Sequence, residues 1–460
     1  IYFSGAPFPN PNMQCGNGLP RVSVEPLLFS SMMFITMYTM ISQQYIYKRF
    51  SFDNGLINAT GKYSQCFLNS TDPRAQLEKK VSAETSLWVL YLNVAGVVPS
   101  VISATLIGSW GDTVGRRKPM ISVYLGAVVM ISIYISVFHF RLPLYVLLIG
   151  RLVCGLSGDF TALLASCFAY VADVSSTQSR TIRFAVAEAS IGIGGVVGSY
   201  VTGAWVKQQG LELPLWLPFA LTIFGFVYTL FLLPESIQSE VSRKLFTCNP
   251  FVGLWRMLTL EAKRGKQLLS VLFCFFLVLV LYNGYSDVIV VYELSPPFCW
   301  TSDQIGYGSM ITAGSFIVAL VAFKLLNNRC SDWWFVFIGV VSMTTSFLIL
   351  AFAKQSFFLL TACSIGILCT MPVTAIRSML SRLVNPEEQG SIFALVACAQ
   401  TISQFSASVM YNTIYKETVA FFPGTVFLVA VGISVFILII FRMLSKTYPH
   451  PQNQQYPSSL

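Results

Sequence analysis

The chain has 460 residues, of which 55% are apolar and only 11% charged. A soluble domain carries about 25% charged residues because its surface faces water, so this composition excludes an ordinary soluble protein and makes the lipid bilayer the main surrounding medium. The balance of 29 basic to 20 acidic residues, a net charge of +9, does not mark a nucleic-acid binder, because the basic residues cluster beside apolar runs.

In chain order, residues 1–23 are rich in Pro, Asn and Gly and read as a disordered cytoplasmic N-terminus without the apolar core of a secretory signal. Apolar runs then recur at 24–47, 86–108, 119–139, 143–172, 183–206 and 214–233. After a basic stretch, six more follow at 267–293, 304–326, 333–353, 356–381, 390–413 and 424–444. Each is long enough for a helix to cross about 30 Å of hydrocarbon. Open sheets are excluded because lipid offers no partner to their edges, and the runs lack the alternation of a membrane barrel. The expected fold is an all-α integral membrane protein of twelve transmembrane helices in two six-helix bundles. The bundles span 24–233 and 267–445, joined by a cytoplasmic linker at 234–266 and followed by a cytoplasmic tail at 446–460.

Arg116, Arg117 and Lys118, Arg180 and Arg183, the basic residues of the linker, and Arg442 with Lys446 all flank spans on one side. The positive-inside rule puts that side in the cytosol. The long loop 50–84 is then outside and carries two glycosylation sequons, at Asn58 and Asn69. Of eleven cysteines, most sit in apolar spans as small hydrophobes. Cys66 and Cys299 instead fall in outer loops, one from each half, and are expected to form a disulfide in that oxidising space.

The loop after the second span reads Gly108-Ser109-Trp110-Gly111-Asp112-Thr113-Val114-Gly115-Arg116-Arg117-Lys118. It resembles the G-x-x-x-D-x-x-G-R-R/K signature of the major facilitator superfamily. The glycines allow close approach at a tight turn, and Asp112, Arg116 and Arg117, with Asp173, suit contacts that hold one access state. A narrower resemblance runs through Val24-Glu25-Pro26-Leu27, Gly158-Asp159-Phe160, Val171-Ala172-Asp173-Val174-Ser175-Ser176, Glu188-Ala189-Ser190-Ile191-Gly192, Tyr292-Glu293-Leu294-Ser295 and Arg377-Ser378-Met379-Leu380-Ser381. These stretches look like solute carrier family 46, and the second, third and fourth most resemble its folate-carrying branch. The resemblance implies a secondary active transporter, a proton-coupled symporter that brings folate and related organic anions into the cell by alternating access. Haem, steroid conjugates and muropeptides are the substrates of other members, and a transport-inactive membrane receptor is a further alternative. It also implies protons as the coupling ion with no cofactor, a folate-like small-molecule anion and the lipid bilayer as partners, no nucleic acid, and the plasma membrane, with an endosomal membrane as the alternative.

An ionisable group inside a span costs roughly 2.5–3.5 kcal/mol on insertion scales and is a functional candidate by default. Glu188 in the fifth span is read as the proton-coupling group, since desolvation favours the neutral acid; the alternative is a structural ion pair. Asp159 in the fourth span is either paired with Arg151 or close to substrate. The planar fork of Arg377 in the tenth span suits the carboxylates of a folate, against a reading as a snorkelling arginine. Asp287 in the seventh span is expected to cap local structure near the outer face. Where the folate-carrying branch has a seventh-span histidine, this chain has Tyr282, counted with Asp159 and Arg377 as substrate-binding. Only His139 and His450 exist, one at a helix end and one in the tail, so any pH response falls on carboxylates. No nucleophile-and-base grouping and no P-loop appear, which argues against an enzyme and leaves no metal site.

Overall fold

The computed structural model describes residues 24–56, 73–174, 180–235, 262–326, 332–383 and 389–447. They form fourteen α-helices: α1 (Glu25–Asp53), α2 (Pro73–Val114), α3 (Arg117–Phe140), α4 (Tyr145–Leu156), α5 (Asp159–Val174), α6 (Arg180–Gln209), α7 (Trp216–Val227), α8 (Ala262–Leu294), α9 (Ser302–Leu326), α10 (Asp332–Ala351), α11 (Ser356–Ile365), α12 (Met371–Arg382), α13 (Gln389–Thr418) and α14 (Thr425–Thr447). The pairs α4/α5 and α11/α12 each make one crossing, so the helices amount to twelve spans, six per half.

Ten of these crossings are long and apolar enough by themselves to traverse a bilayer. The other two, α1 and α13, are as long but more polar, and they turn that polarity inward. Ser30, Ser31, Gln43 and Gln44 of α1 are buried, as are Ser403, Ser408 and Asn412 of α13. Both helices touch the opposite half.

Two expectations need correction. The fourth and tenth spans, read as continuous helices, are broken. The fourth breaks at Ser157-Gly158, after which Asp159 takes φ 50°. The tenth passes through a 3₁₀ turn at Gly366–Leu368 and restarts with Pro372 in its first turn, where the missing N–H costs nothing. Apolar content is uninterrupted through both breaks, so hydropathy passes over them. The outer loop is also shorter than 50–84, because α2 starts at Pro73 and α1 runs on to Asp53. The added first turns of α2, Arg74-Ala75-Gln76-Leu77-Glu78-Lys79-Lys80, are strong helix formers that a hydropathy window cannot see. At 42 residues, α2 is about 63 Å long at 1.5 Å per residue.

The halves meet most closely where α6 crosses α9. A Cβ on Gly203 would lie 2.9 Å from Gly306 Cα and 2.8 Å from the Ser302 carbonyl oxygen, so neither glycine tolerates a side chain. Small residues at such crossings replace the hydrophobic drive that lipid removes. At the Cys299 end, Met40 and Tyr47 of α1 and Val81 of α2 join the apolar core of the C-terminal half. That end is closed by shared packing.

Candidate functional site

The break in the fourth span places Asp159 at the start of α5. Its Oδ1 accepts the Phe160 N–H at 2.7 Å, and its Oδ2 accepts from Arg151 Nη2 at 3.3 Å. Arg151 is only 4% exposed, so its charge needs internal partners. It also donates to Tyr38 Oη at 3.0 Å and to the Leu92 carbonyl at 3.4 Å. The pairing of Asp159 with Arg151, one of two alternatives read from the sequence, is what the structure contains. Arg151 is the hub joining α1, α2, α4 and α5.

The second ion pair joins the halves. Arg377 of α12 donates through Nη1 to Glu188 Oε1 of α6 at 3.3 Å, with the side chains 25% and 22% exposed. The sequence marks the two residues separately, as charges in different apolar runs. The cation comes from the other half. Arg377 therefore already holds one carboxylate through Nη1, and a second carboxylate shares its charge and its remaining donors. The Phe275 ring lies 6.0 Å from its guanidinium carbon.

Tyr282 stands edge-on to Phe316 of α9, with ring centroids 6.1 Å apart. With Tyr285, Thr312, Ser346, Cys363 and Cys369 it lines a small cavity inside the C-terminal half, beside the tenth-span break. Tyr282 and the Glu188–Arg377 pair lie on different contacts, and no hydrogen bond joins them among the described residues.

At the basic end, Arg116 Nε reaches Asp173 Oδ2 at 3.1 Å, which unites two of the expected gating residues. Arg117 donates to the Thr229 carbonyl at 2.9 Å and to that of Leu230, at the π-helical end of the sixth span. Sequence reasoning missed Glu235, whose Oε1 accepts the backbone N–H of Arg116 at 2.7 Å and of Arg117 at 3.4 Å. It caps the start of α3, where a carboxylate suits the helix dipole. Gly115 sits at φ 102°, and a Cβ there would overlap the Glu235 carboxylate. The signal available was Pro234-Glu235 directly after an apolar run. The Asp112 side chain lies outside the described residues.

At the other end, Cys299 is held in a disulfide, while Cys66, Asn58 and Asn69 lie outside the described residues. Lys207 of α6 pairs with Asp303 of α9 at 2.8 Å, and Ser302 donates to Gln44 of α1 at 2.6 Å. Asp287 caps nothing on its own helix. It accepts hydrogen bonds from Ser408 and Asn412 of α13, a role its place in an apolar run did not reveal. His139 is exposed in the last turn of α3, and His450 lies outside the described residues.

Two six-helix halves, closed at one end and bridged by the half-buried Glu188–Arg377 pair and by Lys207–Asp303, define a multi-pass membrane carrier. Residues 26–408 match the Major Facilitator Superfamily. The chain is 34% identical over 441 residues to the proton-coupled folate transporter of Rattus norvegicus, covering 95% of each. It is 28% identical to the lysosomal proton-coupled steroid conjugate and bile acid symporter of Gallus gallus, covering 89% of this chain and 91% of that one. Among solved structures it resembles the human organic anion transporter MFSD10 (TETRAN), with a TM-score of 0.63, 16% identity and coverage of 91% and 97%. A D-xylose-proton symporter gives a TM-score of 0.62, 14% identity and coverage of 90% and 96%. The chain belongs to the Major Facilitator Superfamily, in solute carrier family 46. It is a transporter and not an enzyme.

Proposed function

We propose that this chain carries folate-like organic anions into the cell, each with protons, by alternating access. The observation that supports this reading most is the Glu188–Arg377 pair, which spans the two halves at 3.3 Å. While Glu188 is ionised it occupies the guanidinium. A proton on Glu188 removes the opposing charge and frees Arg377 for a substrate carboxylate, so proton and anion arrive together. When the halves rock and the proton leaves on the neutral side, Glu188 reclaims Arg377 and the anion is expelled. Asp159 and Arg151 hold the N-terminal wall of the path, Tyr282 and its cavity lie on the C-terminal side, and Arg116 with Asp173 braces the cytosolic end. A difference of two pH units supplies about 2.7 kcal/mol per proton, roughly a hundredfold accumulation, without any nucleotide.

The curated relatives at 34% and 28% identity are named for folate and for steroid conjugates respectively, so the test separates the two. Uptake of labelled folate into proteoliposomes is expected to exceed equilibrium only with acid outside, with excess haem or steroid sulfate leaving it largely intact. Equal uptake with and without the pH difference ends the symport reading. Strong inhibition by steroid sulfate, with transport of the steroid itself, moves the assignment to that class.

A further inference from the structure

Asp287 of α8 lies where the two halves are closed together, and its neighbours are arranged by hydrogen-bond polarity. Ser408 of α13 spends its one hydroxyl proton on Asp287 Oδ2, so its oxygen can only accept from elsewhere. It accepts Asn93 Nδ2 of α2, across the gap between halves, at 2.6 Å. Asn412 of α13 turns its amide nitrogen toward Asp287 Oδ2 at 3.5 Å. That presents Asn412 Oδ1 to Ser86 Oγ of α2 at 2.9 Å. The Asn93–Ser408 bond between halves thus depends on Asp287 taking the Ser408 proton, while the Asn412 amide nitrogen is also held by the Ser408 carbonyl at 2.9 Å. The same face continues outward, where Ser82 shares hydrogen bonds with Ser295 at 2.7 Å and Tyr415 at 3.0 Å, and Lys79 donates to the Ala420 carbonyl at 2.6 Å.

The partners of Asp287 on α2 and α13 are neutral. The titratable groups that face it are Arg151 of α4 and the Tyr38 phenol of α1. Both belong to the Asp159 hub, which ties this carboxylate to the N-terminal half by charge as well as by hydrogen bonds.

We propose that Asp287 is a second proton-responsive coupling residue: its carboxylate latches α2 to α13 and seals the outer end, and a proton delivered from outer water loosens that latch. Protonation removes the negative charge and leaves a neutral acid with one donor and one weaker acceptor oxygen. Ser408 then loses its charge-assisted bond, which is roughly twice as strong as the neutral bond that replaces it, and its hydroxyl is no longer held in the orientation that accepts Asn93. Acid outside therefore favours the outward-open state in which Glu188 and Arg377 meet substrate. The inference rests on the proton-coupled reading above, and its test does not depend on substrate.

Val89 lies between Ser86 and Asn93 on the same face of α2 and is 4% exposed. In the full chain bearing Val89→Cys, labelling by a membrane-impermeant thiol reagent from outside is expected to rise several-fold from neutral to acidic external pH. The parent chain serves as the background control. Adding Asp287→Asn, which keeps the shape and an acceptor oxygen but no charge, is expected to give high labelling at both pH values. Asn93→Ala cuts the same latch from α2 and is expected to raise labelling at neutral pH to the acid level, which covers the case where Asp287→Asn does not reach the membrane. An unchanged pH step in Asp287→Asn, or low neutral labelling in Asn93→Ala, overturns the latch. Loss of pH-driven uptake with this labelling pattern intact counts against the symport reading and leaves the latch standing.

Discussion

The charge of Arg377 faces two candidates, its own Glu188, held through Nη1 at 3.3 Å, and an incoming carboxylate. This competition makes different predictions for the two residues. Glu188→Gln keeps the volume and removes the charge, so Arg377 stays available at every pH. Uphill uptake driven by acid outside is expected to fall at least tenfold, about 1.4 kcal/mol, while exchange of labelled for unlabelled substrate continues. Counterflow measurements read the two separately. Arg377→Ala is expected to lose substrate binding and exchange together at normal surface expression, and Arg377→Lys to recover little of it, because a point charge does not reproduce the fork. Each residue was legible alone as a charge in an apolar run. Their pairing was not, because no local pattern links residues 189 positions apart.

At the scale of elements, the two breaks fall in corresponding spans, the fourth of each half. Discontinuous helices at equivalent positions are where many carriers place their sites. The breaks supply the start of α5 with Asp159 and open the cavity beside Tyr282. Hydropathy gave twelve apolar runs, ten of them strongly apolar, because lipid demands apolar side chains whatever the backbone does. It could not report the breaks, which depend on a glycine, a 3₁₀ turn and a proline. The crossing of α6 with α9 is another element-scale feature set by a missing side chain. Gly203→Leu is expected to push the halves apart at that crossing, lowering the midpoint of thermal unfolding by several degrees and reducing uptake. Gly210→Leu, where nothing lies within 4 Å of a Cβ, serves as the control, although its φ of 78° adds a small strain of its own.

For the whole molecule, the charge bias beside the spans assigns a cytosolic end, and the Cys299 end becomes the outer one. Cys299 is disulfide-bonded, and Cys66 is the partner expected from its outer loop. Cys66→Ser and Cys299→Ser should each free one thiol for external labelling without reductant, and the double variant none. Asn58→Gln and Asn69→Gln should each remove one step of a glycan-dependent mobility shift. Labelling from the cytosolic side alone would reverse the orientation.

The amino-acid sequence by itself determined the medium, the number of crossings and the superfamily. These follow from side-chain solvation and from one contiguous motif, both local properties of the chain. Only the tertiary structure decided that Glu188 answers to Arg377, that Arg151 gathers Tyr38 and Asp159, that Glu235 caps α3, and that Asp287 meets Ser408 and Asn412 of α13. Those groups lie in different helices, and a buried charge is defined by the partner that compensates it, which only folding brings within reach.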